Sequence, residues 1–238
     1  MKKHFSVWML LARSSLPWLT ASCAAVAALQ TAGFFMAMNT PAYRELPTPE
    51  HALEAGCLGL TGLIGLCLTA LLAVRCGSMT SPRTAYTLDR LRISRKAFCG
   101  WHALHAGLCF LICWAVQALT VLTLCTLWML RFDPAGTQTV FLAVWRSPYL
   151  YNLLPLFDWV RWLRNLLLCA ALGCAAADLA LRSRQGGRGW WLPVLLFLTV
   201  SAAARDLFYP VFQCVLCAIS LCCTLGHMTA EDKDDEEA

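Results

Sequence analysis

Two stretches of this chain carry no Asp, Glu, Lys or Arg over lengths that a soluble fold does not tolerate. One is GCLGLTGLIGLCLTALLAV from Gly56 to Val74, and the other is the 33 residues from Phe98 to Leu130. About 20 apolar residues in a helix cross the roughly 30 Å of hydrocarbon in a bilayer. Within that layer only helices and closed barrels satisfy every backbone N–H and C=O. Composition points the same way: 59% of residues are hydrophobic and 14% charged, where a soluble domain carries about 25% charged residues, and mean hydropathy is +0.59. The expected fold class is all-α, a polytopic membrane helix bundle of about six transmembrane helices. It occupies residues 1–228 as one multi-pass domain, followed by an acidic disordered tail over 229–238.

Orientation follows from the segment between those two runs, PRTAYTLDRLRISRKAFCGW from Pro82 to Trp101. Arg83, Arg90, Arg92, Arg95 and Lys96 face a single acid, Asp89, and an excess of Lys and Arg places a short loop on the cytoplasmic side. Both termini are then cytoplasmic in a cell membrane. Lys2, Lys3, Arg13, Arg75, Arg182, Arg184, Arg188 and Lys233 join the island inside, while Arg44, Arg131, Arg146, Arg161, Arg164 and Arg205 fall outside. The net charge of +5 is accounted for by cations gathered near anionic lipid. Membrane lipid is the partner this implies, and no nucleic acid is expected. Leu88, Leu91 and Arg95 share one helical face, so the island reads either as a short amphipathic helix lying along the membrane or as a solvated loop.

Taken in order, the chain begins with a short helix in the cytoplasmic interface, bends at Pro17, and enters a first span from about Leu16 to Met38. Asn39–Glu54 reads as an outer loop. The second span, about Ala55 to Val74, carries Gly56, Gly59, Gly62 and Gly65, which favour close packing of backbones. Along the third, His102, Ala106, Cys109, Cys113, Gln117 and Thr120 form a small or polar stripe that belongs inside a bundle. Residues 139–160 have the length of a span, but Arg146, Pro148, Pro155 and Asp158 break it. An outer interfacial or re-entrant element is the reading, with Trp145, Tyr149, Tyr151, Trp159 and Trp162 at the interface. A fourth span from about Leu163 to Leu181 carries Asn165, Cys169, Gly173 and Ala177 on one face. Trp190–Ala204 and Val211–Gly226 supply a fifth and a sixth.

The arrangement of an interfacial N-terminal helix, two spans, the cytoplasmic YTLDRLRISRKAF and a third span resembles the first half of type-2 ABC export permeases. The corresponding stretch there is a short coupling helix with a Thr-Leu-x-x-Leu-x-x-Ser-Arg-like pattern, matched here by Thr87, Leu88, Leu91, Ser94 and Arg95. The resemblance implies a permease-like subunit that couples a separate ATP-binding subunit to export, in a homo- or heterodimer of membrane subunits. It implies that Leu88, Asp89, Leu91, Arg92 and Arg95 contact the ATPase, and that His102, Cys109, Cys113, Gln117 and Thr120 help line a path. That family places its outer re-entrant element between the fifth and sixth spans, whereas here the element follows the third.

Several chemistries have no signature in the chain. There is no phosphate-binding G-x-x-x-x-G-K-[ST] loop, H-E-x-x-H zinc helix or G-x-S-x-G elbow, so no catalytic activity of its own is expected. The fourteen cysteines are scattered through apolar runs and act as small apolar side chains rather than a disulfide framework. Cys214-x-x-Cys217 has redox or zinc spacing but no companion ligands, and His102 and His105 have no partner histidine in an apolar run. No metal or cofactor is expected. The alternative to a permease is a membrane interaction or assembly protein that moves no substrate and uses its small-residue faces to hold partners.

Overall fold

The structure, a computed structural model, describes residues 2–41, 43, 48–78, 94–132, 140–184, 190–205 and 209–236, with backbone alone at 2–5, 78, 95–96, 184, 201–205 and 229–236. The elements in order are α1 (Lys2–Met38), α2 (Pro49–Ala55), α3 (Leu58–Ser78), α4 (Arg95–Phe132), α5 (Val140–Arg146), α6 (Pro148–Leu153), α7 (Trp159–Arg184), α8 (Trp191–Arg205) and α9 (Pro210–Glu236). Five of them contain segments long and apolar enough to cross a membrane: Ser6–Met38, Leu58–Gly77, Ala97–Phe132, Trp159–Ser183 and Pro210–Met228. The expected fifth span is the shorter α8, whose 15 residues rise about 22 Å at 1.5 Å per residue.

The distribution of side chains is the reverse of a soluble protein's. Trp18, Leu71, Leu119, Leu130 and Phe197 are more than half exposed, while Gln30, His102, Gln117, Arg164, Asp178, Gln213 and Thr224 are buried. Apolar surface outside and hydrogen-bonded polar groups inside is the arrangement hydrocarbon favours, because lipid tails accept leucine at no cost and offer nothing to an amide. α1, α3, α4 and α7 alternate in direction, and α9 runs parallel to α7, since Gln213 meets Arg164 near the start of both and His227 meets Asp178 near the end of both. One end of the bundle gathers Phe34, Leu58, Trp128, Ala143 and Leu150, and the other gathers Cys99, Ala103, Ala177 and Met228.

At the centre lies α4, which touches α1, α3, α7 and α9. Its contact with α7 is a meeting of two glycines: a Cβ built on Gly173 would stand 2.6 Å from the Gly107 nitrogen and 2.7 Å from the Ala103 carbonyl oxygen. Only hydrogen at that position lets the two backbones approach so closely. The Asn165–Ala177 face of α7, identified in the sequence as a small stripe, is therefore a packing surface within the chain.

Three expectations are corrected. α1 is one continuous helix through Pro17, not an interfacial helix followed by a bend. Its first turns are held against α4, with Val7 and Leu11 buried and the Trp8 ring edge-on to Trp101 at 5.9 Å, which outweighs the single backbone bond a proline removes. The Asn39–Glu54 loop contains α2, set by Thr48 accepting from the His51 N–H at 3.4 Å with Pro49 in the first helical position; its buried Glu50 faces Arg146 at 3.6 Å. Residues 139–160, by contrast, are interrupted where the sequence places its breakers. Ser147-Pro148 and Pro155 divide them into the short α5 and α6, of 7 and 6 residues. Farther on, α9 continues as helix through Glu236, into the stretch 229–238 expected as an acidic disordered tail.

Candidate functional site

The densest polar chemistry lies where α6, α7 and α9 meet. Asp158 caps α7, its Oδ1 accepting from the backbone N–H of Val160 at 3.0 Å and of Arg161 at 3.3 Å. Its Oδ2 accepts from Arg161 Nε at 3.0 Å, and the Arg161 guanidinium lies 4.3 Å over the Tyr151 ring. An acid at a helix start and a cation beside it follow from the helix dipole and from charge pairing.

One turn further in, Arg164 is 2% exposed, about 8 Å along the helix from Trp159 at 1.5 Å per residue. Its guanidinium engages all five of its N–H donors. Nε and Nη2 donate to Asn165 Oδ1 at 3.1 and 2.9 Å, Nη1 donates to Asn152 Oδ1 at 3.0 Å and Gln213 Oε1 at 3.1 Å, and Nη2 donates to the Asn152 carbonyl at 3.3 Å. Asn165 Nδ2 donates to that same carbonyl at 3.0 Å, and Asn152 Oδ1 also receives Arg161 Nη1 at 3.0 Å. The guanidinium fork thus ties the short α6 to two long helices, a geometry an ammonium cannot reproduce.

Directly beside this network is a cavity of about 80 Å³, between α3, α4, α6, α7 and α8. Its polar walls are Arg164, Asn165, Asn152, Gln117, Tyr149 and Thr199, and its apolar walls include Leu63, Leu66, Leu153, Leu168 and the Trp114 ring. Gln117 Nε2 donates to the Gly62 carbonyl at 3.0 Å. Tyr149 Oη and Trp114 Nε1 are buried; Trp114 Nε1 has no hydrogen-bond partner among the described residues, and Tyr149 Oη has the Gln30 amide beside it. Burial pushes the Tyr149 hydroxyl above its ordinary pKa, with the Gln30 amide opposing the rise, so it remains a neutral O–H donor at any physiological pH.

The expected path stripe is turned into the chain's own bundle. His102 Nε2 donates to the Ala73 carbonyl at 3.0 Å, tying α4 to α3. Cys109 and Cys113 pack with Leu19 and Cys23, and the half-buried Thr120 donates to its own helix at Val116. Only Gln117 of the five reaches the cavity. Leu88, Asp89, Leu91 and Arg92 lie outside the described residues, and Arg95 is described by its backbone, as the first residue of α4.

At the opposite end, Asp178 is buried and accepts from Arg182 Nε at 2.9 Å, with His227 Nδ1 3.0 Å from its other oxygen. Ser15 Oγ lies 3.0 Å from the Leu11 carbonyl oxygen and 2.6 Å from His105 Nε2, which also lies 3.6 Å from Cys109 Sγ. The pair is a strut between α1 and α4. Cys214 and Cys217 are free thiols on α9, and among the described residues no three His, Cys, Asp or Glu side chains converge as a metal site.

Asn152, Arg164 and Gln213 are not singled out by pattern as site residues, and Tyr149 reads only as an interfacial aromatic. Arg164 reads as an outer-loop cation in the sequence, yet among the described residues it is the largest fully buried side chain. Its available signal was adjacency to Asn165 on the small face of α7, together with a lone glutamine, Gln213, in an otherwise apolar segment. No family model, no curated protein and no solved structure matches this chain.

Proposed function

We propose that the chain is a permease-like membrane subunit of an ABC exporter. It acts with a separate ATP-binding subunit in a homo- or heterodimer of membrane subunits, with six spans when α8 is counted and with both termini and the 79–93 connector cytoplasmic. The observation that carries this reading is the junction between the connector motif and α4. Ser94, the last serine of that motif, caps α4 by accepting from the Ala97 N–H at 3.3 Å, and Arg95 begins the helix. The helix that starts there is the hub of the bundle and carries Gln117 to the cavity. A push delivered at the connector would travel through a stiff 38-residue rod to the polar interior. Leu88, Asp89, Leu91, Arg92 and Arg95 are the residues assigned to the ATPase contact, and the stripe's contribution to a path is made through Gln117.

The reading as a partner-holding protein requires small-residue faces free to receive a partner. Gly59 and Gly62 meet Tyr149 and Gln117, Gly65 meets Val26, and Gly107 meets Gly173, so these faces are consumed inside the chain, while Ala21, Ala24, Ala25 and Ala28 of α1 stay exposed. Co-purification tests the exporter reading. An associated ATPase is expected, with turnover that falls at least severalfold when Leu91→Asp or Arg95→Glu is introduced. A stable complex without a nucleotide-binding subunit, or an epitope placed in the connector that is reached from outside intact cells, overturns it.

A further inference from the structure

We propose that the cavity between α3, α4, α6 and α7 is a binding site for the oxoanion head, carboxylate or phosphate, of a single-chain amphipath. The site lies within one chain, so the inference goes beyond the exporter reading and does not depend on it.

The chemistry of the walls selects the ligand. Among the described residues, Arg164 is the one charged residue that lines the cavity, and no carboxylate lines it. The acids of the region are engaged elsewhere, Asp158 with Arg161 and Glu50 with Arg146. Two buried donors line this space: the Trp114 indole N–H, a donor with no accepting capacity and, among the described residues, no acceptor, and the Tyr149 hydroxyl, which has the Gln30 amide beside it. Unmet donors in a bundle interior are costly, and a ligand that brings oxygen acceptors relieves that cost. A cationic head would find a cation and two hydrogens facing it.

Size and the remaining walls add the chain. A volume of about 80 Å³ exceeds the roughly 10–15 Å³ that one water requires several times over, and is on the scale of a compact head group. Leu63, Leu66, Trp114 and Leu168 form an apolar side that is only half-buried, so part of each reaches the outer face of the bundle. An acyl chain leaving the head along these residues stays in apolar surroundings throughout. The glycine at the polar end keeps the space open: a Cβ on Gly62 would stand 2.8 Å from Gln117 Oε1 and 3.0 Å from Tyr149 Oη.

The test uses the full chain purified in maltoside, without any ATPase, and counts one-to-one adducts by native mass spectrometry as dodecanoate or dodecyl phosphate is titrated. Saturable binding of both is expected, with dodecylammonium and inorganic phosphate failing to compete at equal concentration. Tyr149→Phe, which keeps the ring, should weaken binding about tenfold or more, the loss expected for one hydrogen bond to a charged acceptor. Trp114→Phe should weaken it similarly, and Gly62→Ala should weaken it by occupying the space. Gly100→Ala, with nothing within 4 Å of its added Cβ, should bind as wild type. Helicity of each variant checks folding. No saturable adduct with wild type, equal binding of dodecylammonium, or unchanged affinity in folded Tyr149→Phe and Gly62→Ala overturns the site and leaves the cavity as a water pocket. Competition by inorganic phosphate alone would assign the head without the chain and overturn the amphipath. The presence or absence of a co-purifying ATPase bears on none of these outcomes.

Discussion

Replacing Arg164 by methionine, which keeps much of the length and loses every donor, should destabilise the bundle by about 2–4 kcal/mol. The figure comes from counting what is stranded. Asn152 Oδ1 keeps Arg161 Nη1 at 3.0 Å, and the Asn152 carbonyl keeps Asn165 Nδ2 at 3.0 Å. Asn165 Oδ1 and Gln213 Oε1 lose the bonds that Arg164 supplies at 2.9–3.1 Å. Each buried acceptor left unmet costs about 1–3 kcal/mol, and removing a buried charge returns part of the sum. Arg164→Lys should fall between methionine and wild type, since one ammonium cannot serve α6, α7 and α9 from the positions of a planar fork. Reversible unfolding in mixed micelles gives the values. The decisive measurement is the double-mutant cycle with Gln213→Leu. Once the glutamine oxygen is gone, Arg164→Met no longer strands it, so the double variant should be milder than the sum of the singles by about 1–3 kcal/mol. Strict additivity, or an Arg164→Met protein as stable as wild type, would refute the claim that the guanidinium joins these helices.

Gly173→Ala should cost about 1–3 kcal/mol by the same assay, because the new methyl meets backbone at 2.6 and 2.7 Å and α4 and α7 must part. Gly100→Ala, in open space, should be neutral or gain up to about 1 kcal/mol from helix propensity. Ser15→Ala removes the hydroxyl beside His105 Nε2 and should cost about 1–3 kcal/mol, while leaving any associated ATPase turnover unchanged; a loss of turnover at wild-type stability would show that this pair is more than a strut. Trp128→Phe breaks the indole bond to the Tyr43 hydroxyl and should cost about 1 kcal/mol, seen as earlier proteolysis of the 39–57 segment.

Sequence alone determined the class of molecule. The uncharged runs on α3 and α4 fix their lengths and their environment, since hydrocarbon penalises any charge or open backbone in them, and the small faces of α3 and α7 are legible because helical periodicity is local. The break of 139–160 is legible too, because Ser147, Pro148 and Pro155 act on their own neighbours. Continuity of α1 through Pro17 was not, because it depends on Trp8 meeting Trp101 across 93 positions of chain. Tertiary structure alone decided the candidate site. Asn152, Arg164 and Gln213 come from three elements; Gln213 stands out only as a lone amide in an apolar segment, and the other two do not differ by pattern from a surface amide or a loop cation. Whether a guanidinium faces water or the core is settled by which acceptors the fold brings to it, and that pairing has no period along the chain.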